Sequence, residues 1–348
     1  MDAYLEILER VIREGKRKKS RTGVDTLFIP TDTFEHHMED GFPLLTTKEV
    51  RHEGVFSELE MFIKGITDKE WLRDRKNHIW DDWCNPERLK KYDFSGQGIE
   101  DTMNQVLQEY QKFSEERKPL KRVRRLVEEI EPFIDQDGNA YSIKDDSEVD
   151  KISDNTRKIA QYLETDLGPI YGFQWRHFGA EYRGPNEDYS GEGVDQLQSI
   201  VDKLKDNPVD RRMLCSAWNP NDLHKMALPP CHYNFKVTSD GKELNLTWDQ
   251  RSTDVPLGLP FNIASYACLL HLLAKETGLQ EGKLTGQLTD VHIYENQMEG
   301  VKEQLKREPL DLPRIKTENF DGIFNWNSSD TKVEGYEHHP KIYFPIAV

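Results

Sequence analysis

The stretch "NIASYACLLHLLAKETG", residues 262–278, decides how the chain folds. Apolar residues occupy nearly every side of the helix it would form, so that helix has no solvent face and belongs in the centre of a core. Upstream, Leu244, Leu246 and Trp248 alternate with polar residues, as in a strand with one buried face. Downstream, "GQLTDVHIYEN" (286–296) reads as another strand. Strands and helices in mixed order predict an α+β fold, a large mixed β-sheet packed by helices.

Toward the N-terminus, Leu5, Leu8, Val11 and Ile12 recur at helical spacing and Gly15 stops the run. "RTGVDT" (21–26) follows as a turn, "GFPLLTTKEV" (41–50) as a loop, and "VFSELEMFIKG" (55–65) as a second helix ending at Gly65. The composition changes between about Asn85 and Thr165. Met103, Val106, Leu107, Tyr110 and Phe113 form one amphipathic stripe; Pro119 interrupts it; Leu120, Val123, Leu126, Val127 and Ile130 form another within the basic run "KPLKRVRR" (118–125). "DQDGNAYS" (135–142) is turn-like, and Ile152, Ile159 and Leu163 mark a third helix. The segment is a charged helical insertion into one domain spanning residues 1–348, and its basic run is a solvated helix face in preference to a ligand site. No internal repeat is present.

The chain has 348 residues, 36% hydrophobic and 32% charged, with 7 Trp, 13 Tyr and 15 Phe, which excludes a disordered chain. The formal net charge of −16 argues against general nucleic-acid or membrane binding, and an anionic ligand would need a local cluster of arginines. Cys84, Cys215, Cys231 and Cys268 show no CxxC spacing, so neither a zinc site nor a redox pair is expected, and no metal. "MDAYLEILERVIREG" (1–15) lacks the apolar core of a signal peptide, and no window is long and apolar enough to span a bilayer. The expectation is a reduced, cytoplasmic protein.

"LPPCHYNF" (228–235) sets Cys231 behind Pro229 and Pro230, whose rings fix the approach to the thiol. Such a cysteine is either a presented nucleophile or a small apolar filler. Three further motifs put polar groups where burial is expected. "NPVDRRMLCSAWNP" (207–220) carries Arg211 and Arg212, which meet either carboxylates or a phosphate. "WDQRSTDVPLGLPFN" (248–262) carries Gln250, Arg251, Ser252, Asp254 and Asn262. "TDVHIYENQ" (289–297) puts His292 and Tyr294 on one strand face, as a core hydrogen bond or a sugar contact. Together they supply a guanidinium fork, a hydroxyl, a carboxamide with both donor and acceptor, and a thiol. That inventory fits a nucleoside monophosphate whose base is open to conjugate addition.

The motifs "RTGVDT", "FPLLTTK", "HIWDDW", "DLGPIYGFQWRHFGAEY", "DRRMLCSAWNP", "MALPPCH", "QRSTDVPLGLPFNIASYA", "DVHIY" and "EGYEHHPKIYFPIAV", in this order, resemble the thymidylate synthase family over residues 1–84 and 166–348. The resemblance implies a thymidylate synthase-like fold and reductive methylation of dUMP by 5,10-methylenetetrahydrofolate. It implies Cys231 as the nucleophile at C6, with Arg21, Arg251 and Ser252 on the phosphate and Gln250 beside them. Arg211 and Arg212 match a pair lent across a homodimer interface; Asn262 matches the reader of the uracil edge, and His292 with Tyr294 the ribose contacts. Glu58 matches the glutamate managing protons at O4 and the cofactor, Tyr171 the tyrosine assisting loss of the C5 proton, and Asp254 the pterin contact. Trp80 and Trp83 match the folate wall, Lys48 the glutamyl-tail contact, and the terminal "PIAV" with Ala347 the closing segment. The arginines near Cys231 are expected to favour the thiolate.

Three rivals stand beside this reading. A pyrimidine nucleotide hydroxymethylase shares the fold and lets water quench the exocyclic methylene; Glu60 and Met61, in "SELEMF" (57–62), depart from the apolar run usual for the synthases and leave it room. A non-catalytic nucleotide or RNA binder is opposed by the intact Cys231, Glu58 and Asn262. A cysteine hydrolase using Cys231 and His232 is opposed by their adjacency, which points them to opposite strand faces.

Overall fold

The computed structural model describes residues 1–96, 98–133 and 146–346. Its strands are β1 (Lys16–Lys18), β2 (Thr26–His37), β3 (Leu214–Ser216), β4 (His232–Ser239), β5 (Glu243–Gln250), β6 (Thr253–Asp254), β7 (Gln280–Tyr294), β8 (Arg314–Thr317) and β9 (Thr331–Glu334). Its helices are α1 (Asp2–Glu14), α2 (His52–Ile63), α3 (Glu70–Arg73), α4 (Ile99–Glu116), α5 (Lys121–Ile130), α6 (Asp146–Leu163), α7 (Tyr171–His177), α8 (Gln196–Asp206), α9 (Leu259–Thr277) and α10 (Met298–Gln304).

The main sheet has the order β1-β2-β7-β5-β4-β3, with β6 also on β7. β5 and β7 run parallel while β2–β7 and β4–β5 are antiparallel, so the sheet is mixed as expected. A parallel pair needs a crossover, and α9 supplies it between β5 and β7. Pro260 sits in the first turn of α9, where its missing N–H costs nothing, and Gly278 closes the helix at φ 73°. Ile263, Ala264, Leu269 and Leu272, on different sides of α9, are all fully buried. Truncating such a leucine to alanine costs about 2–5 kcal/mol. Along β5 the buried positions are Leu244, Leu246 and Trp248, and Trp248 stacks on Tyr266 of α9 at 5.2 Å.

The insertion builds a second core from α4, α5 and α6, with Met103, Val106, Val123, Ile130, Ile152 and Ile159 at its centre. Pro119 lies between α4 and α5. The basic run faces solvent: Arg122 pairs with Asp82 at 2.7 Å and Arg125 with Glu129 at 3.5 Å. The turn expected at 135–142 lies outside the described residues. No helix among the described residues is long and apolar enough to cross a membrane.

Candidate active site

A cleft of about 700 Å³ opens where the ends of β4, β5 and β7, helix α2 and the 79–83 segment meet. Cys231 lines it just before β4, and Arg251 lies opposite, just past β5. The backbone N–H of Arg251 donates to the Cys231 carbonyl at 2.8 Å. Its guanidinium donates through Nε to the Pro230 carbonyl (2.8 Å) and through Nη2 to the Pro229 carbonyl (2.7 Å). The two prolines thus hold the arginine as well as stiffening the thiol's approach. Nη2 stands 3.9 Å from Cys231 Sγ.

The electrostatics correct one expectation. Burial pushes the Cys231 thiol above its ordinary pKa, and Arg251 and Arg21 oppose that push without overcoming it. In the protein alone the net effect favours the thiol, although both arginines act toward the thiolate. His232 offers no base: burial pulls its pKa down to about 3, and its Nδ1 lies 2.9 Å from the Tyr266 hydroxyl. The hydrolase dyad is thereby dropped.

The backbone N–H of Cys231 donates to the Tyr171 hydroxyl at 2.9 Å. Tyr171 opens α7, and its ring stacks on Phe62 of α2 at 4.7 Å. Gly172 makes that approach possible, because a Cβ there would meet the backbone of Phe62 at 2.5 Å. Asn262, in the first turn of α9, is oriented by a chain of amides. Trp248 Nε1 donates to Gln250 Oε1 (3.1 Å), and Gln250 Nε2 donates to Asn262 Oδ1 (3.1 Å). Gln250 Nε2 also donates to the Ser252 carbonyl at 3.1 Å, and Ser252 itself lines the cleft.

At the end of β7, His292 and Tyr294 meet edge to face at 5.1 Å, and His292 Nδ1 lies 2.6 Å from the Asp290 carbonyl. Arg21 reaches the cleft from the 21–26 turn. Asp254 receives the Leu257 N–H at 3.1 Å, and burial raises its carboxyl above the usual range.

The opposite wall is helical. Glu58 of α2 accepts from Trp80 Nε1 at 2.7 Å, and burial pushes its pKa up to about 7 against that hydrogen bond. Trp80 and Trp83 meet edge to face at 6.1 Å. Glu60 faces away from the cleft: it accepts from Lys64 Nζ (2.6 Å), from the Ser328 N–H (2.9 Å) and from Ser328 Oγ (2.8 Å). The departure at Glu60 is therefore a structural contact, Met61 is a core residue, and neither lines the cleft.

Residues 2–348 match the family model described as thymidylate synthase. The chain belongs to the thymidylate synthase family. It is 39% identical to the thymidylate synthase of Homo sapiens over 99% of this chain and 90% of that protein. It is 36% identical to that of Mycoplasma genitalium over the full length of both. The bifunctional dihydrofolate reductase-thymidylate synthase of Leishmania amazonensis is 39% identical over 99% of this chain, which spans 55% of that longer protein. Members of this family are folate-dependent methyltransferases, and no relative named here is a hydroxymethylase.

The structure does not place every expected thymidylate synthase residue in the cleft. Lys48 does not line the cleft: it is 4% exposed, its ammonium donates to the Pro256 carbonyl at 2.5 Å, and it sits 4.6 Å above the Phe344 ring. Arg211 and Arg212 are exposed and outside this chain's cleft; the Arg212 side chain is 84% exposed and pairs with Asp210 at 2.7 Å. Ala347 lies outside the described residues, while Ile346 reaches the cleft. Sequence reasoning missed Lys18 and Lys19, although the run "RKKS" beside "RTGVDT" advertised cations at this mouth. It also missed Gln297, which no motif marked. Among the described residues no group of three His, Cys, Asp or Glu is arranged to hold a metal ion.

Proposed function

We propose that the protein converts dUMP to dTMP, with 5,10-methylenetetrahydrofolate donating both the one-carbon unit and the hydride. The observation that carries this reading is the thiol of Cys231 facing a cleft shared with Arg251, Asn262, the His292–Tyr294 pair and the raised carboxyl of Glu58. Arg21, Arg251 and Ser252 take the phosphate; Asn262, oriented by Gln250, reads the uracil edge; His292 and Tyr294 take the ribose hydroxyl.

The Cys231 thiol gives up its proton to water as sulfur attacks C6, and the electron pair of the C5–C6 bond moves to C5 and O4; the proton returns when the C–S bond breaks. C5 bonds to the methylene carbon, its proton leaves with help from Tyr171, and tetrahydrofolate departs to leave an exocyclic methylene. Hydride from tetrahydrofolate then reduces that methylene as the C–S bond breaks, giving dTMP, dihydrofolate and free Cys231. Glu58, poised near pKa 7, exchanges protons at O4 and the cofactor nitrogen. Trp80, Trp83 and Asp254 hold the folate, and the C-terminal segment excludes water.

The rise in absorbance at 340 nm with both substrates tests the reading, since only reductive methylation yields dihydrofolate; hydroxymethyl-dUMP without dihydrofolate would overturn it. We further propose one catalytic domain over 1–348 with its insertion at about 85–165, in a cytoplasmic homodimer whose Arg211 and Arg212 complete the partner's phosphate site. Exposure of both arginines and four free cysteines support this. Mixing Cys231→Ala with Arg211→Glu/Arg212→Glu subunits should restore partial activity; confirmed exchange without recovery would contradict it.

A further inference from the structure

Gln297 ends the short turn after β7 and is 1% exposed. Its carboxamide oxygen and both amide hydrogens are engaged. Oε1 accepts the Tyr294 N–H at 3.1 Å. The two hydrogens of Nε2 go to two acceptors: Asp254 Oδ2 at 3.1 Å and the Pro345 carbonyl at 3.3 Å. Tyr294 N–H can only donate and the Pro345 carbonyl can only accept, so the orientation of the amide is fixed. One side chain therefore touches Asp254, the end of the β7 strand and the C-terminal segment.

That segment has few other ties. Among the described residues, the Pro345–Gln297 bond is the one hydrogen bond made by residues 344–346. Phe344 is held by packing. Lys48 Nζ lies over its ring, and a Cβ at Gly300 of α10 would meet the ring at 2.6 Å, so glycine makes its seat. Ile346, one residue beyond Pro345, lines the cleft. Among the described residues the Asp254 carboxylate accepts two hydrogen bonds, from the Leu257 N–H and from Gln297.

We infer that Gln297 is a positioning residue that makes seating of the C-terminal segment and alignment of Asp254 a single event. With the segment seated, one Nε2 hydrogen is held by Pro345 and the other by Asp254. With the segment away, the amide loses a buried acceptor and is free to turn, and Asp254 loses its fixed donor. Lys48 is the cation that backs the same segment through Phe344. The inference rests on the reading of Asp254 as a folate contact.

The test uses full-length protein with Gln297→Met, which keeps the length and removes both donors, and Gln297→Glu, which keeps the acceptor for Tyr294. Hydrogen–deuterium exchange follows the C-terminal peptide before and after adding 5-fluoro-dUMP with methylenetetrahydrofolate. The wild type gains protection on adding folate. Both variants lose most of that gain, their KM for folate rises about tenfold, and the Kd for dUMP alone stays within about twofold. A purely structural role would move both ligands together and spare the folate-induced protection. If Gln297→Met does not fold, Gln297→Glu carries the same measurements. Full protection with unchanged folate KM in a folded variant overturns the coupling. Asp254→Asn is the separate control: an unchanged folate KM there overturns the reading of Asp254 instead.

Discussion

On the sheet side of the cleft, Cys231, Arg251 and Asn262 are placed largely by backbone: His232 pairs with Gln250 across β4 and β5, and the Arg251 N–H bonds the Cys231 carbonyl. On the helical side, Trp80 and Trp83 lie in a segment with no sheet to hold it, and buried charged side chains take over. Asp81, 1% exposed, accepts from Arg73 Nε at 2.6 Å and pairs with His78 Nδ1 at 2.9 Å. Arg73 also bonds Glu70 and donates to the Tyr162 carbonyl of α6 at 2.6 Å. Lys69, equally buried, donates to the carbonyls of Trp83 (2.8 Å) and of Gln161 in α6 (2.7 Å), and burial pulls its pKa down to about 8. The insertion thus ties the tryptophan wall to its own helices. A backbone ladder tolerates changes of side chain; a buried ion cluster fails when one member is lost.

The sharpest way to break this comparison is Arg73→Met. It strands Asp81 in the interior, and the expected loss is about 3–5 kcal/mol of stability by urea unfolding. A loss below about 1 kcal/mol would show that the helical wall is held by something else.

On the sheet wall, Asn262→Asp asks whether base reading lives where the amide chain from Trp248 and Gln250 ends. A carboxylate cannot donate to the uracil carbonyl at position 4 unless it takes up a proton. Relative kcat/KM should move from dUMP toward dCMP by roughly ten- to a hundredfold, since mismatched buried polar groups cost about 1–3 kcal/mol each. An unchanged ratio in steady-state kinetics would place base reading elsewhere.

These two walls were unequally legible. The period-two pattern of Leu244, Leu246 and Trp248 and the all-round apolarity of 262–278 are local, so the sheet and α9 were readable from spacing alone. The ordered motifs brought Cys231, Arg251, Asn262, His292 and Tyr294 to one cleft. The burial of Lys48 under Pro256 and Phe344 was not readable, because it depends on chain 208 residues and more away meeting that loop. The raised thiol of Cys231 escaped for a related reason. Nearby arginines are visible in sequence, whereas the depth of burial that outweighs them is a property of the packed fold. Gln297 carries no signature because any polar residue after a strand looks like a turn.

Trp80→Phe probes the interior of the helical wall and has the smallest expected effect. Burial raises Glu58 and the Trp80 N–H, bonded to its carboxylate, holds it down. Removing that donor leaves burial unopposed, so the pH midpoint of kcat assigned to Glu58 should move upward from about 7, by up to about one unit. A downward shift would mean that the indole acts on Glu58 by burial rather than by its hydrogen bond.

The central claim is that Cys231 forms the covalent bond to the pyrimidine. Intact-mass spectrometry of the protein incubated with 5-fluoro-dUMP and methylenetetrahydrofolate tests it most directly. The account predicts an added mass equal to both ligands, located on the peptide containing Cys231 and absent from Cys231→Ala; the same adduct on Cys231→Ala, or on another residue of the wild type, would contradict it.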